Sequence, residues 1–158
     1  MAQEPLIVTS FDRLSFLVID DDHTILQVIE AFLKDAMAAS VILATDCLAA
    51  LSHLADKSKM IGCVVCDHSM PEMTGLALLQ EIRGGKHPNI PRSMPFIMLA
   101  MSGQEAVVRA AIALDAHVYI RKPVTKDALT KAIHRAFNRS LVLKQLEEYL
   151  ALQLPPDP

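Results

Sequence analysis

The sequence predicts an α/β protein built on a doubly wound, five-stranded parallel sheet with helices on both faces. Two observations carry this prediction. Five short apolar runs occur along the 158-residue chain, and helical patterns of apolar residues alternate with them. The runs are continuous rather than alternating, which is typical of strands that are buried on both faces. Right-handed crossovers between such strand–helix units make the strands parallel.

The predicted strands are the apolar runs themselves, which are bounded by polar or turn-forming residues. They cover residues 16–19, 41–44, 61–66, 96–100 and 118–120. The segment before the fourth run, residues 84–95, is rich in Gly and Pro and is predicted to be a loop. In folds of this class, ligands bind beyond the carboxyl ends of the strands. The residues that directly follow each run are therefore the first candidates for a functional site.

Three helices are predicted in the first half of the chain. The first covers residues 23–35, where leucine and isoleucine recur every three or four residues. The second is capped by Asp46 and continues to Ala55, since an aspartate side chain accepts hydrogen bonds from the first free backbone N–H groups of a helix. The third covers residues 75–83 and follows the same apolar spacing.

Two further helices are predicted in the second half. Ser102 and Glu105 have the spacing of a capping box, which predicts that a helix over residues 107–114 follows them. Either Thr125 or Asp127 is expected to begin the last helix.

The C-terminal tail is rich in leucine. No Gly or Pro interrupts the chain before Pro155, so we expect the last helix to extend past Leu150. Leu143, Leu146 and Leu150 recur at three and four residues, which is the start of a heptad pattern. Such a helix either packs on its own domain or forms a homodimer or a contact with another module.

Composition excludes several classes of function. The net charge is −3 and no basic patch is present, so we expect no binding to nucleic acid. No run approaches the roughly 18 apolar residues of a membrane span, and no signal peptide is evident. Cys63 and Cys66 form a C-x-x-C pattern, but on a strand they would point to opposite faces and could not share a metal. We therefore expect free cysteines and a cytoplasmic location.

Charged residues follow three of the predicted strands. Asp20, Asp21 and Asp22 end the first, Asp67 ends the third, and Lys122 lies at the end of the fifth. Three consecutive aspartates repel one another, and a hard divalent cation such as Mg²⁺ is the natural compensation because it prefers oxygen ligands. Some of the three could instead cap the following helix, and Asp22 is the best placed to do so.

Three segments together resemble the receiver domain of bacterial two-component response regulators. They are residues 17–22 (LVIDDD), 66–75 (CDHSMPEMTG) and 119–123 (YIRKP). The resemblance implies a flavodoxin-like, three-layer fold with strand order 2-1-3-4-5. It also implies an N-terminal extension over residues 1–12, a receiver domain over 13–137, and an extended helix with a Pro-rich tail over 138–158.

The resemblance implies a role for each residue at the strand ends. Asp67 would accept a phosphoryl group from a histidine kinase or phosphotransfer protein, and Lys122 would pair with that group. Mg²⁺ would be held by Asp20, Asp21, Asp67 and the backbone carbonyl of Ser69. The chain would be a signalling switch of a phosphorelay rather than an enzyme, and its output would be a downstream protein target or a homodimer.

One position departs from the family pattern. Receiver domains usually carry Thr or Ser at the end of the fourth strand, and the matching residue here is Ala100. Tyr119 matches the aromatic position that reports activation. We expect either that Ser102 supplies the missing hydroxyl or that coupling between phosphorylation and Tyr119 is weakened or rerouted.

Two alternatives remain open from the sequence. The first is a degenerate receiver-like interaction module that is not regulated by phosphorylation, which the absence of a hydroxyl at Ala100 supports. The second is an Mg²⁺-dependent aspartyl-phosphate phosphatase, since residues 20–24 (DDDHT) also resemble the haloacid-dehalogenase phosphatases. In that case Asp20 would be the nucleophile and Asp22 the acid–base.

Overall fold

A computed structural model describes residues 14–101 and 103–156 of the chain. Among them, five strands form one sheet with the order β2-β1-β3-β4-β5, and every neighbouring pair is parallel. This confirms the predicted fold class and strand order. The strands are β1 (Ser15–Ile19), β2 (Ser40–Ala44), β3 (Ile61–Asp67), β4 (Phe96–Ala100) and β5 (Val118–Arg121).

The helices occupy the connections between the strands. They are α1 (His23–Asp35), α2 (Cys47–Ala55), α3 (Gly75–Arg83), α4 (Glu105–Ala113), α5 (Lys126–Asn138) and α6 (Leu146–Leu150), with a single 3₁₀ turn at Lys57–Lys59. None of those in the described part of the chain is both long enough and apolar enough to cross a lipid bilayer. The first three helices begin and end where the apolar spacing predicts.

The sheet separates two apolar layers. Side chains of α2, α3 and α4 form one core with one face of the strands, and those of α1 and α5 form the other core with the opposite face. Cys66 lies in the first core and Cys63 in the second, as the alternation of side chains along a strand requires. Both cysteines are free and buried. The C-x-x-C pattern is therefore part of the packing, not a metal site.

Polar side chains begin the helices as predicted, with one exception. Asp46 accepts a hydrogen bond from the N–H of Ala49, and Thr125 accepts one from Ala128. The predicted capping box before α4 is wrong in its register: the helix begins at Glu105, so Gln104 occupies the capping position that the pattern gave to Ser102. Ser102 itself lies outside the described residues, and so does the N-terminal extension over residues 1–12.

The predicted long final helix is wrong. Helix α5 ends at Asn138, and the chain continues in extended backbone to the short helix α6. The physical reason is that the apolar side chains of the tail bury against their own domain: Leu143 packs against the α2–α3–α4 core, and Tyr149 is fully buried there. A continuous helix would carry these side chains away from that core. Of the three heptad leucines, Leu143 therefore packs within the domain, whereas Leu146 and Leu150 remain 39% and 40% exposed.

Candidate functional site

Asp20 is held at the carboxyl end of β1 in a buried position. Its side chain is 1% exposed, and one carboxylate oxygen accepts a hydrogen bond from the N–H of Asp22 at 2.9 Å. The other oxygen accepts from the Nζ atom of Lys122 at 3.2 Å. Asp22 is oriented differently: its carboxylate accepts from the N–H groups of Thr24 and Ile25 and thereby caps α1.

Asp67 ends β3, and the start of α3 packs tightly against it. A Cβ atom on Gly75 would lie 2.4 Å from the backbone oxygen of Asp67, so only glycine allows this close approach. Thr74 caps α3 through the N–H of Ala77. The side chain of Asp67 is 5% exposed, and one of its oxygens lies 3.1 Å from Lys122 Nζ. The strand end and the following helix thus fix this carboxylate at the edge of the sheet.

Lys122 follows the edge strand β5 and contacts both carboxylates. It directly follows β5, and its backbone N–H donates to the carbonyl of Ala100 at 2.9 Å. The peptide bond to Pro123 is cis. Its ammonium group contacts both Asp20 and Asp67, which are 47 residues apart in the sequence (67 − 20). The structure therefore assembles three of the residues that the sequence singles out.

The electrostatics of this cluster are unbalanced. Burial is the main cause that raises the pKa of Asp67 to about 6; the charge of Asp20 acts in the same direction and Lys122 opposes it. Burial also raises the pKa of Asp20, against the hydrogen bonds from Asp22 and Lys122. Burial lowers the pKa of Lys122, but the two carboxylates outweigh that effect and the net shift is upward. One ammonium group does not compensate the carboxylates around it.

Oxygen atoms of three aspartates converge in a way that suits a metal ion. One carboxylate oxygen from each of Asp20, Asp21 and Asp67 lies within 4.8 Å of the others, and Asp21 is exposed while the other two are buried. Carboxylates and carbonyls are the ligands that Mg²⁺ prefers, and this cation usually keeps several waters. The residues present therefore fit a magnesium ion that is reached from solvent on the side of Asp21.

The sequence matches the model of the response regulator receiver domain over residues 16–134. The chain belongs to this family. The match spans all five strands and α1 to α4, and it ends within α5. A receiver domain is the signalling module that the three motifs predict, and the parallel sheet with its cluster of Asp20, Asp67 and Lys122 agrees with that prediction.

Solved structures agree with this assignment. A response regulator receiver domain protein from Clostridium thermocellum is 33% identical, with a TM-score of 0.70 over 79% of this chain and 94% of that one. A candidate response regulator from Chloroflexus aurantiacus is 25% identical, with a TM-score of 0.71 over 80% and 98%. A chemotaxis protein from Vibrio cholerae is 25% identical, with a TM-score of 0.64 over 78% and 98%.

Other predicted residues lie near the edge of the sheet where the strands have their carboxyl ends. Ala100 ends β4 and is 1% exposed, so its methyl group offers no hydrogen bond at the place where a hydroxyl is usual. Tyr119 lies on β5 and is 40% exposed. Ser69 lies in the loop after Asp67, in a half-buried position. Ser102, the proposed replacement donor, is outside the described residues.

The sequence reasoning missed one polar residue at this edge. Gln104 accepts a hydrogen bond from the backbone N–H of Met101 at 2.8 Å, and its Nε2 atom donates to the hydroxyl of Ser69 at 3.2 Å. The capping-box pattern drew attention to its neighbours instead. Its position in the sequence could have identified Gln104, because it lies directly before the residues whose apolar pattern predicts α4.

Proposed function

We propose that this receiver domain accepts a phosphoryl group at Asp67 from a phosphohistidine of a partner histidine kinase or phosphotransfer protein. The observation that carries the proposal is the placement of a nearly buried carboxylate 3.1 Å from Lys122, beside the two other aspartates. With a pKa of about 6, Asp67 is mainly ionised at neutral pH, so it is a competent nucleophile there. Metal binding would favour that charged form further.

The chemical step is a phosphoryl transfer. A carboxylate oxygen of Asp67 attacks the phosphorus atom, the bond between phosphorus and the histidine nitrogen breaks, and that nitrogen keeps the bonding electron pair. Lys122 is placed to pair with the negative oxygens of the transferring group. The domain provides position and charge, and it is itself the acceptor. We therefore propose a switch rather than an enzyme that turns over a substrate.

Mg²⁺ is the cofactor that this donor set fits. Asp21 and Asp67 would bind it directly with the backbone carbonyl of Ser69, and Asp20 would complete the acidic cluster. When bound, the cation neutralises charge on the phosphoryl oxygens. The charges added by the phosphoryl group and the cation change the electrostatics of the cluster, and this is the local event that we expect to alter the neighbouring loops.

The output of the switch is proposed to be a contact with another protein. The net charge of −3 argues against nucleic acid as the partner of this chain. Homodimerisation through the tail is less well supported, because Leu143, Leu152 and Leu154 pack against the domain's own core. We therefore favour a downstream protein target that recognises the phosphorylated face.

A degenerate, unphosphorylated module is the second candidate, and Ala100 is the observation that favours it. The phosphatase alternative has weaker support, since the carboxylate of Asp22 caps α1. In that alternative Asp22 would have to act as the acid–base for a nucleophilic Asp20.

Mapping the modified residue distinguishes the three functions. The protein is treated with acetyl phosphate and Mg²⁺, the acyl phosphate is trapped by borohydride reduction, and the site is located by mass spectrometry. We expect modification of Asp67 that requires Mg²⁺ and is abolished in Asp67→Asn. Asp22→Asn is the matched control, because asparagine also caps helices and Asp22 lies outside the proposed cluster. That variant should be phosphorylated like the wild type.

The other results would each contradict the proposal. Modification of Asp20 would point to the phosphatase chemistry. An unmodified protein, with acetyl phosphate and with a phosphorylated histidine kinase, would favour the degenerate module.

A further inference from the structure

The side chain of Gln104 connects two loops at the phosphoacceptor edge. Its Oε1 atom accepts from the N–H of Met101 in the β4–α4 loop, and its Nε2 atom donates to the Ser69 hydroxyl in the β3–α3 loop. Gln104 precedes the first residue of α4, yet its side chain forms no capping hydrogen bond with that helix. Both ends of the amide are instead directed to the loops beside Asp67.

The chemistry of Ser69 makes this connection sensitive to phosphorylation. A hydroxyl group both donates and accepts hydrogen bonds, so Ser69 keeps its own proton for another partner while it accepts from Gln104. Ser69 lies two residues after Asp67, and a phosphoryl oxygen is a stronger acceptor than a neutral oxygen because the hydrogen bond is charge-assisted. A donor that is polarised by such an acceptor also becomes a better acceptor itself.

The neighbouring strand β4 ends in a residue whose side chain cannot donate a hydrogen bond. Ala100 is buried, its side chain is a methyl group, and its carbonyl already accepts from the N–H of Lys122. A polar link between the phosphoacceptor loop and the start of α4 is nevertheless present, and it passes through Ser69, Gln104 and Met101.

We propose that Gln104 is a positioning residue that couples the phosphoacceptor loop to the start of α4 through the hydroxyl of Ser69. This inference rests on the proposed phosphorylation of Asp67. The phosphoryl group attracts the Ser69 hydroxyl, the hydroxyl draws the Gln104 amide, and the amide moves the β4–α4 loop through Met101. Gln104 thus provides, through Ser69, the hydrogen-bonded coupling that the methyl group of Ala100 cannot provide.

The test compares amide chemical shifts of the ¹⁵N-labelled protein before and after addition of beryllofluoride and Mg²⁺, a stable mimic of the acyl phosphate. The readout is the shift change over α4 divided by the shift change at His68, which reports occupancy next to Asp67. We expect the Gln104→Ala variant to keep the change at His68 and to reduce the ratio at least twofold. Gln104→Glu should reduce it similarly, because a carboxylate still accepts from Met101 but cannot donate to Ser69.

Two further variants separate coupling from general destabilisation. Gln80→Ala is the matched control, since the Gln80 amide donates to the carbonyls of Tyr149 and Leu152 in the tail and not to either loop. Its ratio should equal that of the wild type. Adding Ser69→Ala to Gln104→Ala should give no further reduction, because both changes interrupt the same path.

The outcomes distinguish this inference from the proposed function. A wild-type ratio in both Gln104 variants, with the change at His68 intact, would overturn the coupling role and leave phosphorylation of Asp67 standing. A ratio reduced equally in Gln80→Ala would also overturn it, since the effect would then be general. Failure of the wild type to respond at His68, together with unmodified Asp67, would overturn the proposed function itself.

Discussion

Two buried groups of charged side chains lie at opposite edges of the sheet and are balanced in different ways. At the carboxyl ends of the strands, Asp20 and Asp67 share the single ammonium group of Lys122. Exposed Asp21 adds a third carboxylate to the same cluster. This edge has more negative charge than its own side chains compensate, and burial disfavours that charge further.

The amino ends of the strands carry the second group, which is organised around Arg83. Its fully buried guanidinium donates to the backbone carbonyls of Asp115 and Arg92. His117, also buried, accepts from the N–H of Phe96 at the start of β4. The hydroxyl of Tyr149 donates to the carboxylate of Asp115 at 2.7 Å. Each of these polar groups has a partner within the protein.

This contrast indicates which of the two groups is the candidate functional site. Hydrogen bonds within the protein pair the polar groups around Arg83, although burial lowers the pKa of Arg83 to about 10. This group contributes to stability and joins the tail to the domain; we call it the balanced edge because its hydrogen bonds are paired, not because its charges cancel. A cluster with a surplus of like charge favours binding of an outside ion or group, and this is where we propose that a ligand changes the structure. Three sets of variants test this contrast.

The largest effect is expected from Arg83→Ala. The substitution removes the donors to the carbonyl groups of Asp115 and Arg92 and opens a cavity at a fully buried position, so the free energy of unfolding should fall by about 3–5 kcal/mol. Urea denaturation followed by circular dichroism measures it. Arg109→Ala, an exposed change on α4, is the matched control and should stay within about 0.5 kcal/mol of the wild type. Equal stabilities for the two variants would show that Arg83 does not organise its edge.

The two edges are expected to drive opposite trends with pH in the metal-free protein. The folded state binds the Asp67 proton more tightly than the unfolded chain, because the pKa rises from 3.8 to about 6. Its contribution to stability is therefore lost as the pH rises through that window. Burial, and then the charge of Arg83, lower the pKa of His117 from 6.5 to about 4. Its contribution is lost as the pH falls through that window.

Single variants should isolate each trend. In Asp67→Asn the free energy of unfolding should increase by at most about 3 kcal/mol from pH 4 to 6.5, since the Asp67 trend is gone and the raised pKa of Asp20 offsets only part of the His117 trend. In His117→Asn, whose carbonyl can still accept from Phe96, it should decrease by about 3 kcal/mol from pH 4 to 6. Denaturation curves at several pH values measure both. Parallel profiles for the two variants would refute the contrast.

The sequence predicted the unbalanced edge better than the balanced one, for a physical reason. Asp20, Asp67 and Lys122 each follow an apolar strand, so parallel strand order alone brings them to one edge. Arg83 ends α3 and Asp115 lies two residues after α4, and a charged residue near a helix end is usually solvated. Their burial depends on the C-terminal tail packing over them, and no local sequence pattern predicts that long-range contact.

The same distinction applies to the fold. Strands and the first three helices follow from apolar spacing, which is local. The end of α5 at Asn138 does not, because the residues after it have good helical propensity and leave the helix only to reach tertiary partners. Gln104 was missed for a related reason: its amide acts across loops rather than within the helix that it precedes.

The smallest effect is expected from Tyr149→Phe, which removes one hydroxyl from the balanced edge and keeps the buried ring. That hydroxyl donates to Asp115 and accepts from the N–H of Lys144, so its loss leaves two polar groups of the tail junction to find other partners. Lys144 already lies 3.6 Å from the Asp115 carboxylate and limits the cost. We expect a decrease of about 1 kcal/mol in the free energy of unfolding, measured by urea denaturation. Tyr119→Phe is the matched control because the chain's second tyrosine is 40% exposed on β5. Equal losses of stability in the two variants would show that the Tyr149 hydroxyl does not hold the tail on the domain. A loss of stability in Tyr149→Phe alone would show that the balanced edge extends into the tail.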